Sequence, residues 1–129
     1  MHELSVIYPI VRMASKAAVD NNISHVTALR LAVGELHDLQ EEWVKKYYER
    51  YSKDTPLEGS QLIMRRIPIT FKCCKCGHEM SYTHFEFAGV DVICSECGSR
   101  ENDMISGREL QIEGLEYVSS ESSPELQQE

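Results

Sequence analysis

The chain has 129 residues, 42% of them apolar, and a formal charge of −8 from 13 basic and 21 acidic side chains. That allows one modest core, or one small domain plus a metal-stapled module. The acidic balance argues against a phosphate-binding surface, because nucleic-acid affinity rests on Lys and Arg, and no stretch approaches the ~18 apolar residues of a membrane span.

The first residues lack the basic region, apolar run and small-residue cleavage site of a secretory signal, so a cytoplasmic protein is expected. Residues 4–20 are predicted helical, with Leu4, Ile7, Ile10 or Val11, Ala14 and Ala17 or Ala18 at helical spacing. Pro9 removes one backbone bond near its start. Asn21-Asn22 ends it. Val26–Val33 reads as a strand, with Leu29, Leu31 and Val33 on one face and Gly34 as its stop. A second helix is expected over Leu39–Tyr51, capped by Asp38 with Glu41 completing a capping box. Its stripe is Leu39, Trp43, Tyr47 and Tyr51, widened by Val44 and Tyr48. Residues 52–60 form a loop. Leu62–Phe71 is a second strand with a bulge expected at Arg65-Arg66, where the apolar parity slips, and Pro68 points to an edge. After the cysteine-rich stretch, Arg108–Val118 is a third strand with a parity shift at Gly114. Residues 119–129 are rich in Ser, Glu and Gln and are expected to be a disordered acidic tail.

The expected architecture is therefore α+β. A three-stranded sheet with two helices is interrupted by a metal-binding insertion, so residues 1–72 and 103–118 form a discontinuous domain and residues 73–102 a second one.

The insertion carries Cys73-x2-Cys76 and Cys94-x2-Cys97, each second cysteine followed by Gly. Seventeen residues separate Cys76 from Cys94. In a cytosolic protein such paired cysteines read as metal ligands rather than disulfides. The spacing is that of a structural Zn(II) site, and the glycines permit the tight turns that aim amides at sulfur. Four thiolates leave no position for water, so hydrolysis at this site is not expected. Cys74 is out of register with Cys76; it is read as an unliganded neighbour, with ligand exchange against Cys73 as the alternative. His78 and His84 lie within the insertion and read as solvated loop histidines, or as exchange ligands.

The other end of the chain offers nitrogen. The Met1 α-amine, the His2 amide nitrogen and the His2 imidazole close adjacent five- and six-membered chelate rings. Planar coordination of that kind suits Ni(II) or Cu(II). A large second residue disfavours removal of the initiator, so Met1 is expected to persist. The first four amides of a helix have no partner within it, so chelation there breaks no helical bond. Glu35, His37 and Asp38 cluster after the first strand and read as a capped loop, or as auxiliary ligands.

Taken together, these residues resemble the HypA family of hydrogenase-maturation nickel metallochaperones. The resemblance rests on the Met1-His2-Glu3 start, Leu31-Ala32-Val33-Gly34-Glu35-Leu36, the four cysteines with their glycines, and Ile105-Ser106-Gly107-Arg108-Glu109-Leu110. It implies a protein that is not an enzyme, binding Ni(II) through His2 with support from Glu3, and Zn(II) through Cys73, Cys76, Cys94 and Cys97. It also implies a HypB-type GTPase and the [NiFe]-hydrogenase large subunit as partners. A monomer or weak homodimer is expected, and service to urease stays open.

The runner-up is a zinc-ribbon module of transcription or RNA machinery. Charge argues against it: residues 73–101 hold Lys75 and Arg100 against Glu79, Glu86, Asp91, Glu96 and Glu101. A metal-dependent hydrolase is the third reading, and no nucleophile–base pair supports it.

Overall fold

The computed structural model describes residues 2–118. The Met1 amine and the tail at 119–129 lie outside them. The chain is mixed α+β and divides into two compact units. The first comprises residues up to Leu31, Leu39–Met64 and those from Ile112 on; the second comprises Ala32–Asp38 and Arg65–Gln111.

In the first unit, helix α1 runs His2–Asp20 and helix α2 runs Glu41–Ser52. Helix α1 passes through Pro9 without ending. It buries Ile7, Ile10, Val11, Ala14 and Ala18 of the stripe expected from spacing, while Leu4, expected at its start, is 37% exposed on the first turn. Helix α2 buries Val44, Tyr48 and Ser52. Of the expected stripe Leu39, Val44 and Tyr48 are buried, but its centre is rotated away from Trp43, which is 44% exposed, its ring tilted against Tyr47 at 6.0 Å with the Lys46 ammonium 5.0 Å away. Four-residue spacing selected the large rings, while the core took the smaller Val44 face.

Strands β1 (His25–Gly34), β2 (Gln61–Ile67) and β6 (Leu110–Val118) form one sheet in the order β2-β1-β6. As the central strand, β1 buries Val26 and Ala28 as well as Leu29 and Leu31. The tyrosine hydroxyl of Tyr48 meets Ser60 Oγ at 2.5 Å, and Val26 N–H donates to Pro56 at 2.8 Å, closing the loop after α2 onto this core.

The second unit holds a further sheet, ordered β4-β3-β5, from β3 (Ile69–Cys73), β4 (Glu79–Tyr82) and β5 (Asn102–Ser106). Residues 62–71, expected as one strand, fall into two, β2 and β3. They separate at Pro68, which has no N–H for a ladder. The strands on either side of the insertion pair directly, Cys73 with Asn102 and Lys72 with Asp103, and the register slips opposite Thr70 and Phe71. Phe71 stacks on Phe87 at 5.8 Å and meets Tyr82 edge-on at 6.3 Å. This small aromatic cluster seats helix α3 (His84–Phe87), which begins with a Thr83–Glu86 capping box.

Candidate metal centres

Cys73 ends β3, and the chain turns there before β4. The Gly77 N–H donates back to the Cys73 carbonyl at 3.0 Å, and Cys73 N–H donates to His78 at 2.8 Å. The turn requires a positive φ, and Gly77 supplies it at 81°. The second cysteine pair repeats the geometry: Gly98 N–H donates to Cys94 at 2.8 Å, Cys94 N–H to Ser99 at 2.9 Å, and Gly98 has φ 77°. Each turn aims an amide at sulfur. Lys75 N–H lies 3.3 Å from Cys73 Sγ and Glu96 N–H 3.4 Å from Cys94 Sγ.

The two turns bring all four Sγ atoms within 4.8 Å of one another. Cys73 to Cys97 is 3.6 Å and Cys76 to Cys94 is 3.5 Å. A regular tetrahedron with bonds of 2.3 Å has edges of about 3.8 Å. The donor set therefore fits one tetrahedral thiophilic ion. Cys73 and Cys94 are buried, while Cys76 and Cys97 face solvent.

The protein's own amides divide the thiols into two kinds. The Cys76 and Lys75 amides hold the Cys73 thiol down, at about 6. For Cys94, burial opposes ionisation and the Cys97 and Glu96 amides prevail, so it too lies low. For Cys76 the His78 amide pulls down, but neighbouring thiolates and burial push it up to about 12. Cys97 is likewise raised: the Ser99 amide opposes, and the Cys73 thiolate with burial outweighs it. Crowded negative charge of this kind is what a bound dication relieves.

Cys74 stays outside the cluster. Its N–H donates to Glu101 at 2.8 Å, and burial together with the Asp103 carboxylate pushes its thiol up. A thiol so placed is a weak nucleophile.

At the other candidate centre, His2 is exposed and opens α1. Glu3 is 4% exposed, and its Oε2 accepts the Gln40 N–H at 2.9 Å. That amide holds the Glu3 carboxyl below its ordinary value. Gln40 is the N-cap residue of α2, and its own side chain makes no capping bond. The expected capping box from Asp38 and Glu41 is absent. Instead, Glu3 satisfies the N-cap amide from a different helix.

Glu35, Leu36 and His37 form a 3-10 turn ended by Asp38 at φ 51°. All three polar members are engaged within their unit. Glu35 Oε1 accepts the His84 N–H at 3.1 Å, and its Oε2 lies 3.9 Å from Arg66. The His37 Nε2–H donates to the Arg108 carbonyl at 2.9 Å. Asp38 Oδ2 lies 3.4 Å from His84 Nε2, while His84 Nδ1 is buried with no acceptor. The Nε2–H tautomer of His84, facing Asp38, satisfies this arrangement best. His84 is thus half-buried against Asp38 rather than a freely solvated loop residue. Among the described residues, the four cysteines form the one group of three or more close metal-ligating side chains. Nothing in the sequence marks Gln40 or the His84–Asp38 contact. A main-chain amide donor leaves no residue signature, and Asp38 and His84 are far apart in the chain.

A family model described as "Hydrogenase/urease nickel incorporation, metallochaperone, hypA" matches residues 1–117. The hydrogenase maturation factor HypA of Desulfosudis oleivorans is 32% identical, over 90% of this chain and 97% of its own. That of Caldanaerobacter subterraneus subsp. tengcongensis is also 32% identical, over 90% of this chain and 98% of its own. The solution structure of the Ni metallochaperone HypA from Helicobacter pylori superposes with a TM-score of 0.60 at 18% identity, covering 93% of this chain and all of that one. A second HypA solution structure gives 0.66, also at 18% identity, over 93% of this chain and 98% of that one. These structures share the fold.

Proposed function

Because the chain belongs to the HypA family of nickel-incorporation metallochaperones of hydrogenase maturation, we propose that it carries Ni(II) at its N-terminus and hands it to the [NiFe]-hydrogenase large subunit, in concert with a HypB-type GTPase. It is a metallochaperone and not an enzyme. Nickel is its cargo. The Met1 α-amine, the His2 amide nitrogen and His2 Nδ1 hold the ion in fused five- and six-membered rings, and this planar nitrogen set suits Ni(II). The observation that carries this reading is the exposed His2 at the first position of α1. A helix leaves its first four amides without internal acceptors, so metallating the His2 amide costs α1 no helical bond.

Glu3 supports the site. Its carboxylate ties the start of α1 to the N-cap of α2, which fixes the backbone from which His2 projects. Zn(II) is proposed for Cys73, Cys76, Cys94 and Cys97, where it supplies the cross-link that a short insertion lacks. The functional division follows the ligands: residues 1–72 and 103–118 serve nickel and residues 73–102 serve zinc. The compact units follow packing instead, so residues 32–38, 65–72 and 103–111 pack with the cysteines. No helix among the described residues is long and apolar enough to cross a membrane, and the proposed place of action is the cytoplasm.

Native mass spectrometry of the zinc-loaded chain with one equivalent of nickel tests the reading. One zinc and one nickel per chain are expected, and His2→Ala should keep the zinc and lose the nickel. Nickel retained at full stoichiometry in His2→Ala would refute it.

A further inference from the structure

Helices α1 and α2 meet at Tyr8 and Tyr51, whose rings sit edge-on at 5.3 Å. An open cavity lies on each side of this ring pair. One, of about 550 Å³, has Val11, Val19 and Tyr51 among its walls. The other, of about 440 Å³, is lined by Leu4, Ser5, Tyr8, Pro9 and Tyr51. Tyr8 and Tyr51 wall both, so the ring pair is a saddle between two hollows that follow one face of α1, a shallow groove from Leu4 to Val19. At 1.5 Å per residue, that stretch of α1 spans about 22 Å, or four helical turns. Its apolar side chains stand open: Leu4 is 37%, Tyr8 43% and Val19 60% exposed.

Charge narrows what fits. The chain carries 21 acidic and 13 basic residues, yet the walls of this groove include Arg12 and Lys16 and no acid. Arg12 donates to the Tyr8 hydroxyl at 3.1 Å and keeps further donors for an incoming carboxylate. Lys16 pairs with Asp20 at 2.8 Å, but both side chains are well exposed, and such a pair exchanges readily. A second copy is a poor occupant: a two-fold dimer over this face packs one basic patch, Arg12 and Lys16, against its identical basic counterpart. The sequence after Val118 is poor as well, with Leu126 as its one aliphatic anchor.

We propose that this groove receives an amphipathic helix of a protein partner, apolar on one face and acidic along its flanks. Helix-in-groove recognition uses anchors at positions i, i+4, i+7 and beyond, and the Leu4–Val19 spacing offers matching seats. The inference rests on the nickel-carrier reading for its purpose: Leu4 lies two residues from His2, so a helix seated here ends beside the ion to be transferred.

The test is fluorescence anisotropy with a labelled 18-residue helical peptide bearing Leu at positions 1, 5, 8, 12 and 15 and Glu on its flanks. A second peptide carries Lys in place of every Glu. The Glu peptide should bind the full chain at least tenfold more tightly than the Lys peptide. Arg12→Glu with Lys16→Glu should reverse that order, and Val19→Asp should weaken the Glu peptide at least tenfold. These positions are exposed, and circular dichroism confirms that the variants fold. No binding of either peptide, equal binding of both, or an order unchanged in the double variant would each overturn the proposal. So would a concentration-dependent dimer abolished by Val19→Asp, which gives the groove to a second copy. Binding that appears only after truncation beyond Val118 would give it to the chain's own tail, and overturn it equally. The assay contains no nickel. Peptide binding without nickel stoichiometry therefore fails the functional reading alone, and the converse fails this inference alone.

Discussion

Removing the Glu3 carboxylate is the perturbation whose size follows most directly from the structure. The group is 4% exposed and accepts the Gln40 N–H at 2.9 Å. A hydrogen bond to a charged group contributes about 1.5–3 kcal/mol net, against about 0.5–1.5 kcal/mol for a neutral pair. Glu3→Ala should therefore cost about 2–3 kcal/mol. Glu3→Gln keeps an oxygen within reach of the amide and should cost about 1 kcal/mol. The pH dependence has a definite sign. The Gln40 amide holds this carboxyl below its ordinary 4.5. A depressed carboxyl stabilises the fold above its unfolded value, and the contribution disappears as pH falls through the folded value. The gap between parent and Glu3→Gln should be full at pH 7 and close below about 4.5. Urea unfolding of both chains at matched pH and fixed zinc measures the gap, with unchanged m-values as the control. Amide exchange at Gln40 reads the same bond directly and should quicken in Glu3→Ala. Equal stability at pH 7, or a gap that widens on acidification, would refute the reasoning.

Gly34→Ala should be more damaging than its size suggests. A Cβ there falls 2.0 Å from the Gly107 carbonyl oxygen and 2.7 Å from Arg108 N, both backbone. The end of β1 and the link between β5 and β6 must part, at a cost of about 3 kcal/mol, read as a lowered thermal midpoint. In the cysteine cluster, Cys76→Ala and Cys94→Ala should each lose zinc, while Cys74→Ala keeps it; equal zinc content in all three by mass spectrometry would contradict the ligand assignment. Nickel affinity should fall as pH drops from about 7.5 to 6, since binding displaces amine and amide protons and needs neutral imidazole; competition with a chelator across that range checks it, and a flat profile would exclude the proposed donors.

Local pattern carried the elements whose partners are local. The α1 stripe from Ile7 to Ala18 is buried as its period requires, and Leu29, Leu31 and Val33 of β1 are buried as expected, although Val26, Ala28 and Ala32 on the other parity are buried too. The cysteines came together as their spacing indicated. Three features escaped for reasons of chemistry. Pro68 carried two possible meanings, an edge or a break, and only strand pairing decides between them. In α2, Trp43 and Val44 are adjacent, and one-residue rotation is beyond what a short amphipathic pattern fixes. The bonds Glu3 to Gln40 and Glu35 to His84 join positions 37 and 49 residues apart. Both use main-chain amides, which every residue but proline offers. Composition cannot mark such sites; the Asp38–Glu41 cap motif, which it did mark, yielded to the Glu3 carboxylate.

The measurement closest to the central claim is nickel affinity before and after acetylation of the Met1 α-amine. Acetylation removes one of the three proposed nitrogen donors and alters no side chain covalently. Changing a group that merely orients a ligand weakens metal binding by about 10–100-fold, so losing a ligand itself should weaken it by at least ~100-fold. Chelator competition at pH 7.5 should show that loss, with zinc content unchanged. Equal nickel affinity in the acetylated and native chains would contradict the N-terminal site.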